Sequence, residues 1–509
     1  MFSDAAPEPV SVRSLWRECQ QSVQESRGCQ TTAVHSADAE VQTGSAASSG
    51  TQTEPQRLVQ QNPEEPEPEP PGLRDFLRRV EDEVVRRLIA NARSHAFDGF
   101  QVNWEERRNL VSCLHRLRHP GAVERGLHVT SVSWSCTGSV IVSAYGRTDD
   151  GDWNTERSHV CLWNLGLRRL DPARADLVID VPAAVTALCC HPHLPALIAG
   201  GLHSGEVMVW DTKRTRDPLL AVTGMSADSH REPVYQVAWV PLQKKGDFGV
   251  LSACSGGRVL LWTVDPDHSR LVPSASYTLM RQQVPHSGSG GSKARGSSPV
   301  GITALALSPW DSDTFLVGSE GGLLLRCSFS SQTLAEAPPE GQSLTPRAPA
   351  VFSFRPSSGP VHSVHCSPFH RNLFVSAGTD GLVHVRTLLQ AEPLLSLRVS
   401  DAYVFQVQWS PTRPMVFAAA TGQGEVHVFD MSRKSLRPAA TVEQGAAGRA
   451  ATCLAFNSQN PHLLAVGKTD GTVGVWQLSS DLTEQHPRES SRLEQIANQG
   501  AGETLAEAS

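Results

Sequence analysis

The stretch Ala196 to Asp211, reading Ala-Leu-Ile-Ala-Gly-Gly-Leu-His-Ser-Gly-Glu-Val-Met-Val-Trp-Asp, narrows the possible folds of this chain more than any other. Two short runs of alternating apolar residues flank a Gly-bearing turn, a pattern that specifies a β-hairpin. One hairpin cannot bury its own apolar face. Ala184 to Cys190 offers a strand upstream, His191-Pro192 turns the chain, and Leu219 to Val222 offers a fourth strand downstream. The same order returns with different residues at a period of about 40 to 50, which is the spacing of propeller blades.

Seven inner strands follow from apolar alternation: Val129 to Trp134, Val185 to Cys190, Val234 to Trp239, Ile302 to Leu307, Val361 to Cys366, Val404 to Trp409 and Thr452 to Phe456. The hairpins after them end at Trp163, Trp210, Trp262, Cys327, Arg386, Phe429 and Trp476. Successive ends are about 43 to 65 residues apart, which counts as seven blades. The longest gap holds the Gly/Ser run Ser287 to Ser298, expected to be a mobile loop.

The 509 residues include 39% hydrophobic residues, 40 Gly and 34 Pro, a balance that suits many short strands and turns. A net charge of −7 offers no basic field for nucleic acid. Neither a signal peptide at Met1 to Val10 nor a run of 18 apolar residues is present in the sequence, so a soluble, cytosolic protein is expected. The 11 Cys are scattered without Cys-x-x-Cys spacing and read as reduced core thiols.

Residues 1–72 are rich in Ser, Thr, Gln, Ala, Glu and Pro, and read as a disordered arm. Three sites stand out in it: Cys29-Gln30-Thr31, Val41-Gln42-Thr43 and Thr51-Gln52-Thr53. Each could extend and add a strand to another protein's sheet edge, and a row of such sites gains affinity through effective concentration. Chance tripeptides in a Gln/Thr-rich tail are the alternative. Pro63 to Pro71 alternates Pro with Glu and reads as an extended spacer.

From Leu73 the period changes. Leu73, Phe76, Leu77, Val80, Val84, Leu88 and Ile89 fall at helical spacing with charged residues mostly opposite, so 73–93 is expected to be an amphipathic helix. It could pack on its own domain or dock in a partner's groove. Alternating acids and bases make a membrane-surface helix a poor reading. Residues 94–125 read as a connector whose second half has a short helical pattern running to about His119-Pro120. The propeller is expected over 126–480 and a disordered tail over 481–509. Because the chain turns polar after Trp476, the last blade needs an outer strand from elsewhere. Phe100 to Trp104, or else Leu127 to Thr130, is expected to supply it.

No catalytic constellation can be assembled. His191 with His193, and His362 with His365, approach metal-ligand spacing, but no carboxylate or thiol cluster completes a site, so core or turn histidines are expected. No Gly-rich phosphate loop follows a strand, and Gly-x-Ser-x-Gly occurs only within the Gly/Ser run. The expectation is no enzyme, no cofactor and no metal.

Val207-Met-Val-Trp-Asp211, Ser376-Ala-Gly-Thr-Asp-Gly-Leu-Val-His-Val385 and Lys468-Thr-Asp-Gly-Thr-Val-Gly-Val-Trp476 resemble the hairpin signature of the WD-repeat family. The resemblance implies an all-β, seven-bladed WD-repeat β-propeller preceded by the disordered arm and amphipathic helix. In that family the turn Asp, here Asp380 and Asp470, joins a network with a His before the inner strand. Most blades depart from the pattern: Ser229-His230 has the His, but its blade has Gly256 where Asp is expected. The blades are therefore expected to rest more on sheet packing than on buried polar networks.

Ser94-His-Ala-Phe-Asp-Gly-Phe-Gln-Val-Asn-Trp104, Gly126 to Trp134, Tyr145-Gly-Arg-Thr-Asp-Asp-Gly-Asp-Trp153 and Cys366 to Gly381, together with the arm, resemble the WD-repeat intermediate chains of cytoplasmic dynein-2. The resemblance runs from about Cys29 to Arg488. It implies a non-catalytic motor subunit of intraflagellar transport, found in the cytoplasm, the cilium axoneme and base, and the centrosome. The propeller would hold the heavy chain and the arm would face a second WD-repeat intermediate chain. The three Gln-Thr sites would take eight-kilodalton or Tctex-type light chains, and the helix a Roadblock-type light chain. Cys29 and Val41 stand where the usual Thr-Gln-Thr begins with Thr, which leaves open which light chain takes which site. A ubiquitin-ligase substrate receptor is the competing class, although Trp210-Asp-Thr-Lys213 lacks the Trp-Asp-x-Arg such receptors often show.

Overall fold

Alternation of apolar residues every second position buries one face of each strand, and strands with both faces apolar must lie between two sheets. Phe315 to Val317, Phe374 to Val375 and Val416 to Ala420 are such strands, each at or near full burial. The computed structural model describes residues 72–92, 110–147, 157–285, 298–335, 343–433 and 437–506, apart from positions 215, 225, 243, 245 and 443–448. The chain divides between Val102 and Asn103 into two units. In the first the described part is helix α1, Leu73–Ala92.

The second unit is a ring of seven four-stranded antiparallel sheets. Blade 1 comprises β2 (His128–Trp134), β3 (Val140–Gly146), β4 (Ser158–Asn164) and β5 (Leu177–Val181). Blade 2 comprises β6 (Val185–Cys190), β7 (Leu197–Leu202), β8 (Val207–Asp211) and β9 (Leu219–Val222). Blade 3 runs β10 (Val234–Pro241), β11 (Phe248–Cys254), β12 (Arg258–Asp265) and β13 (Arg270–Thr278), and its outer strand pairs with that of blade 2 at one parallel bridge, Arg270 to Val222. Blade 4 is β14 (Ile302–Leu307), β15 (Thr314–Ser319), β16 (Leu324–Ser328) and β17 (Ala350–Ser353), and blade 5 is β18 (Val361–Cys366), β19 (Leu373–Gly378), β20 (Leu382–Thr387) and β21 (Leu395–Arg398). Blade 6 is β22 (Val404–Trp409), β23 (Val416–Thr421), β24 (Val426–Asp430) and β25 (Ala440–Val442). Blade 7 takes β26 (Ala451–Phe456), β27 (Leu463–Lys468) and β28 (Thr472–Leu478) from the C-terminal side and its outer strand, β1 (Val111–Arg118), from the N-terminal side.

All seven inner strands stand where alternation placed them, and each expected hairpin end lies in the third strand of its blade, which runs on to Asp265 in blade 3 and to Leu478 in blade 7. Seven apolar clusters fill the ring, most spanning the seam between two blades. Small residues admit the close approach of neighbours. A Cβ on Gly467 would lie 2.5 Å from Val129, so glycine there lets blade 7 seat against blade 1. Gly200 likewise makes room for the Trp210 ring, which a Cβ would meet at 2.6 Å. The buried cysteines Cys161, Cys190, Cys254, Cys327 and Cys453 are free thiols in these cores, and burial pushes the Cys190 and Cys453 thiols up to about 12.

Two expectations need correction. The strand that closes the ring is Val111–Arg118, paired antiparallel with Thr472–Leu478; Leu127 to Thr130 instead enters blade 1, and Phe100 to Trp104 lies outside the described residues. Residues 94–125 are accordingly more than a connector. The short helical pattern expected to run to about His119-Pro120 is instead this closing strand. In the structure a β-bulge between Cys113 and His115 inserts Leu114 as an extra, exposed residue, and burial alternates only from there on, through His115 and Leu117.

The tail expected to be disordered is also folded. Ser480–Thr483 forms helix α3, one turn long, and Glu489–Ala506 forms helix α4; a short helix, α2, at Pro120–Glu124 precedes blade 1. Leu482 joins the core between blades 6 and 7, while Leu493 and Ala497 join that between blades 5 and 6. An ion cluster fixes the segment. Arg413 donates through Nε to Glu489 Oε1 at 2.8 Å and through a terminal nitrogen to Asp430 at 2.9 Å, and also reaches the carbonyl of Asp481. Arg413 and Glu489 are each 1% exposed, so each charge survives burial only because the other is there.

Two blades add local buried polar networks to the sheet packing. In blade 3 Trp262 Nε1 donates to Ser252 Oγ at 2.8 Å, and that hydroxyl lies 2.6 Å from His230 Nε2, so His, Ser and Trp form a chain without the missing Asp. Burial holds His230 neutral, its pKa lowered to about 3. In blade 5 Arg386 stands in the Trp position and donates through Nε to Ser376 at 3.2 Å. Asp380 and Asp470 cap the backbone N–H of Leu382 and Thr472 in their own turns.

Candidate functional site

Two surfaces stand out among the described residues: the apolar stripe of helix α1, and one end of the ring. The strand sites Cys29-Gln30-Thr31, Val41-Gln42-Thr43 and Thr51-Gln52-Thr53 lie outside the described residues, as do positions 286–297.

Helix α1 starts after Gly72, whose carbonyl accepts from Phe76 N–H, and Asp75 in its first turn suits the positive end of the helix dipole. Its polar side is tied together at i,i+3 and i,i+4. Glu83 accepts from Arg86 at 2.7 Å and from Arg87 at 2.9 Å, and the Arg79 guanidinium lies 5.8 Å from the Phe76 ring centre. The stripe itself is bare: Leu73, Phe76, Leu77, Val84 and Leu88 are exposed, Leu88 by 61%, and Val80 is half-buried. The structure thus brings the expected helix residues onto one side of one element. Burying such a stripe is worth about 1.5 to 3 kcal/mol per large side chain, which is the usual drive for docking into an apolar groove.

The histidine pairs are packing and turn residues. His191 Nδ1 accepts from the N–H groups of His193 and Leu194 at 3.0 Å, and its ring edge meets Trp239 at 4.6 Å between centres. His365 Nδ1 accepts from Trp409 N–H at 3.2 Å, and burial lowers its pKa to about 4. Among the described residues no three potential ligands cluster to hold a metal, and no helix is long and apolar enough to cross a membrane.

The ends of the inner strands carry a feature that strand prediction could not show. Every inner strand bulges near its start, at Thr130, Thr186, Tyr235, Thr303, His362, Phe405 and Thr452. In blades 1, 2, 4 and 7 that residue is Thr, and its hydroxyl donates to the carbonyl of the first inner-strand Val of the next blade: Val185, Val234, Val361 and Val129 in turn. In blades 3, 5 and 6 the position is aromatic. Aligning the seven inner strands one under another would have revealed this contrast.

Residues 300–482 match the model of the dynein axonemal intermediate chain 3 WD40 domain. The chain is 48% identical over 497 residues to the cytoplasmic dynein 2 intermediate chain 2 of Mus musculus, covering 96% of this chain and 90% of the relative. To the protein of that name from Homo sapiens it is 50% identical over 430 residues, covering 84% and 80%. A cytoplasmic dynein 1 intermediate chain of Drosophila melanogaster is 24% identical over 395 residues, 76% of this chain and 54% of that one. Identity near one half along almost the whole length, on a ring of WD-repeat blades closed by an N-terminal strand, means that this chain belongs to the family of cytoplasmic dynein 2 intermediate chains.

Proposed function

We propose that this chain is a non-catalytic scaffold of the cytoplasmic dynein-2 motor, supporting retrograde intraflagellar transport and cilium assembly. The ring holds the heavy-chain tail. The arm carries light chains: eight-kilodalton or Tctex-type dimers on the Gln-Thr strands at 29–31, 41–43 and 51–53, and a Roadblock-type light chain on Leu73, Phe76, Leu77, Val80, Val84 and Leu88. Through those dimers the arm is paired with that of a second WD-repeat intermediate chain. The work is done in the cytoplasm, along the ciliary axoneme and at the ciliary base and centrosome. The single observation carrying this reading is the exposed apolar stripe of helix α1 on a chain of this family.

The physical logic is a division between preformed and induced structure. A ring whose cores are filled can grip without rearranging, whereas an extended strand and a bare helix gain most of their buried surface only when a partner supplies the other half. Deleting residues 1–92 tests it: light-chain binding is lost while the heavy chain still co-purifies. Unchanged light-chain association would overturn the reading, and loss of the heavy chain would show that the two tasks are not divided as stated.

A further inference from the structure

Around the ring the bulged residue seals each seam through a Thr hydroxyl where it can. At the seams leaving blades 5 and 6 the sealing has moved elsewhere. Ser363 Oγ accepts from Val407 N–H at 3.1 Å, His365 accepts from Trp409 N–H, and the Gln406 and Gln408 side chains accept from Leu454 and Phe456 N–H at 2.8 and 2.9 Å. His362 and Phe405 are therefore not needed to join blades. With Tyr403 from the preceding loop they form a triangle of rings: 5.5 Å between His362 and Phe405, and 6.3 Å from Tyr403 to each. None of the three belongs to an inter-blade core, and Tyr403 is 54% exposed. The backbone beneath the triangle is tied down, since Tyr403 C=O accepts from Gly422 N–H at 2.8 Å.

Charge supplies the second observation. The turns joining the second and third strands lie at the same end of the ring as the starts of the inner strands, because adjacent strands run antiparallel. In blades 4 to 7 those turns carry Glu320, Asp380, Glu425 and Asp470 and no Lys or Arg. At the same end Arg449 lies 3.5 Å from Asp470, and Arg398, ahead of Tyr403, is held by Asp401 at 2.6 Å, so Asp380 and Glu425 are the nearest carboxylates in the fold with no Lys or Arg salt bridge among the described residues. Burial lowers the His362 pKa, which keeps that ring uncharged near neutrality, and its Nε2 is buried without a hydrogen-bond partner. Aromatic faces beside carboxylates attract a cation through the ring quadrupole and through Coulomb attraction together.

We propose that the Tyr403, Phe405 and His362 triangle at this end of blades 5 and 6 is a docking site for an arginine side chain presented by a segment of a partner protein. The guanidinium lies against the Tyr403 face, and the acidic turns steer it there. The proposal is independent of which subunit holds the ring.

The test is binding of a fluorescent octa-arginine peptide, with octaglutamate as control, to the purified full-length chain at about 0.15 M salt. The wild type and Tyr403→Phe bind octa-arginine alike, Tyr403→Leu and Tyr403→Ala bind about tenfold more weakly, and octaglutamate does not bind. Thermal unfolding verifies that all variants keep the ring. Equal binding by all four chains would place the cation elsewhere on the acidic surface and overturn the proposal. So would full binding by Tyr403→Leu, which marks a merely apolar contact, or no octa-arginine binding at all.

Discussion

Helix Leu73–Ala92 leaves seven large apolar side chains exposed, whereas helix Glu489–Ala506, far poorer in such residues, buries Leu493, Ala497 and Glu489 against blades 5 and 6. Amphipathic strength and burial thus run in opposite directions at the two ends of this chain. An apolar stripe tells that a helix wants a partner, not that its own domain is the partner. A polar tail, in turn, can be anchored by one well-met ion cluster and a few leucines.

The comparison breaks first at Arg413. Arg413→Ala leaves Glu489 buried without its cation and Asp430 with only Arg433 at 3.5 Å, and we expect a loss of about 3 to 5 kcal/mol in the unfolding free energy of the ring, read by urea titration. A loss below about 1 kcal/mol would mean that the C-terminal segment merely lies on the surface. Leu493→Ala isolates the apolar half of the anchor and should cost about 2 to 4 kcal/mol in the same titration.

Acidification is the next lever. The folded state holds His230 and His365 with pKa values lowered from 6.5 to about 3 and about 4. The unfolded chain therefore binds more protons over that window, and stability present above about pH 6.5 is lost as the pH falls towards 4, by up to about 1.4 kcal/mol per unit for each group. Unfolding titrations between pH 7 and 5 check the slope, which His230→Gln should reduce. The smallest expected effect is the most telling for the contrast. Leu77→Ala with Leu88→Ala should change ring stability by less than about 0.5 kcal/mol, since neither side chain is buried, yet weaken capture of a Roadblock-type light chain in co-purification.

Much of the ring could be read directly, because period-two alternation and hairpin turns are local signals that each blade repeats. What escaped reading was non-local. In the closing strand, the bulge at Leu114 interrupts the alternation that marks the inner strands, and its pairing partner lies at the other end of the ring's sequence. The C-terminal anchor depends on Arg413 meeting Glu489 across 76 positions, and hydropathy scores both as surface residues. The triangle of Tyr403, Phe405 and His362 draws its rings from two blades and becomes visible only when bulge positions are compared around the ring. Helix α1 was fully legible as an element, since its stripe is a local pattern, but its partner is not written in it.

Amide hydrogen exchange on the isolated full-length chain tests the central division most directly. We expect the inner strands, such as Val404–Trp409, to be protected for hours, and the amides of Leu73–Ala92 to exchange within seconds until a light chain is added, when they slow markedly. Protection of Leu73–Ala92 equal to that of the inner strands in the isolated chain would contradict the account.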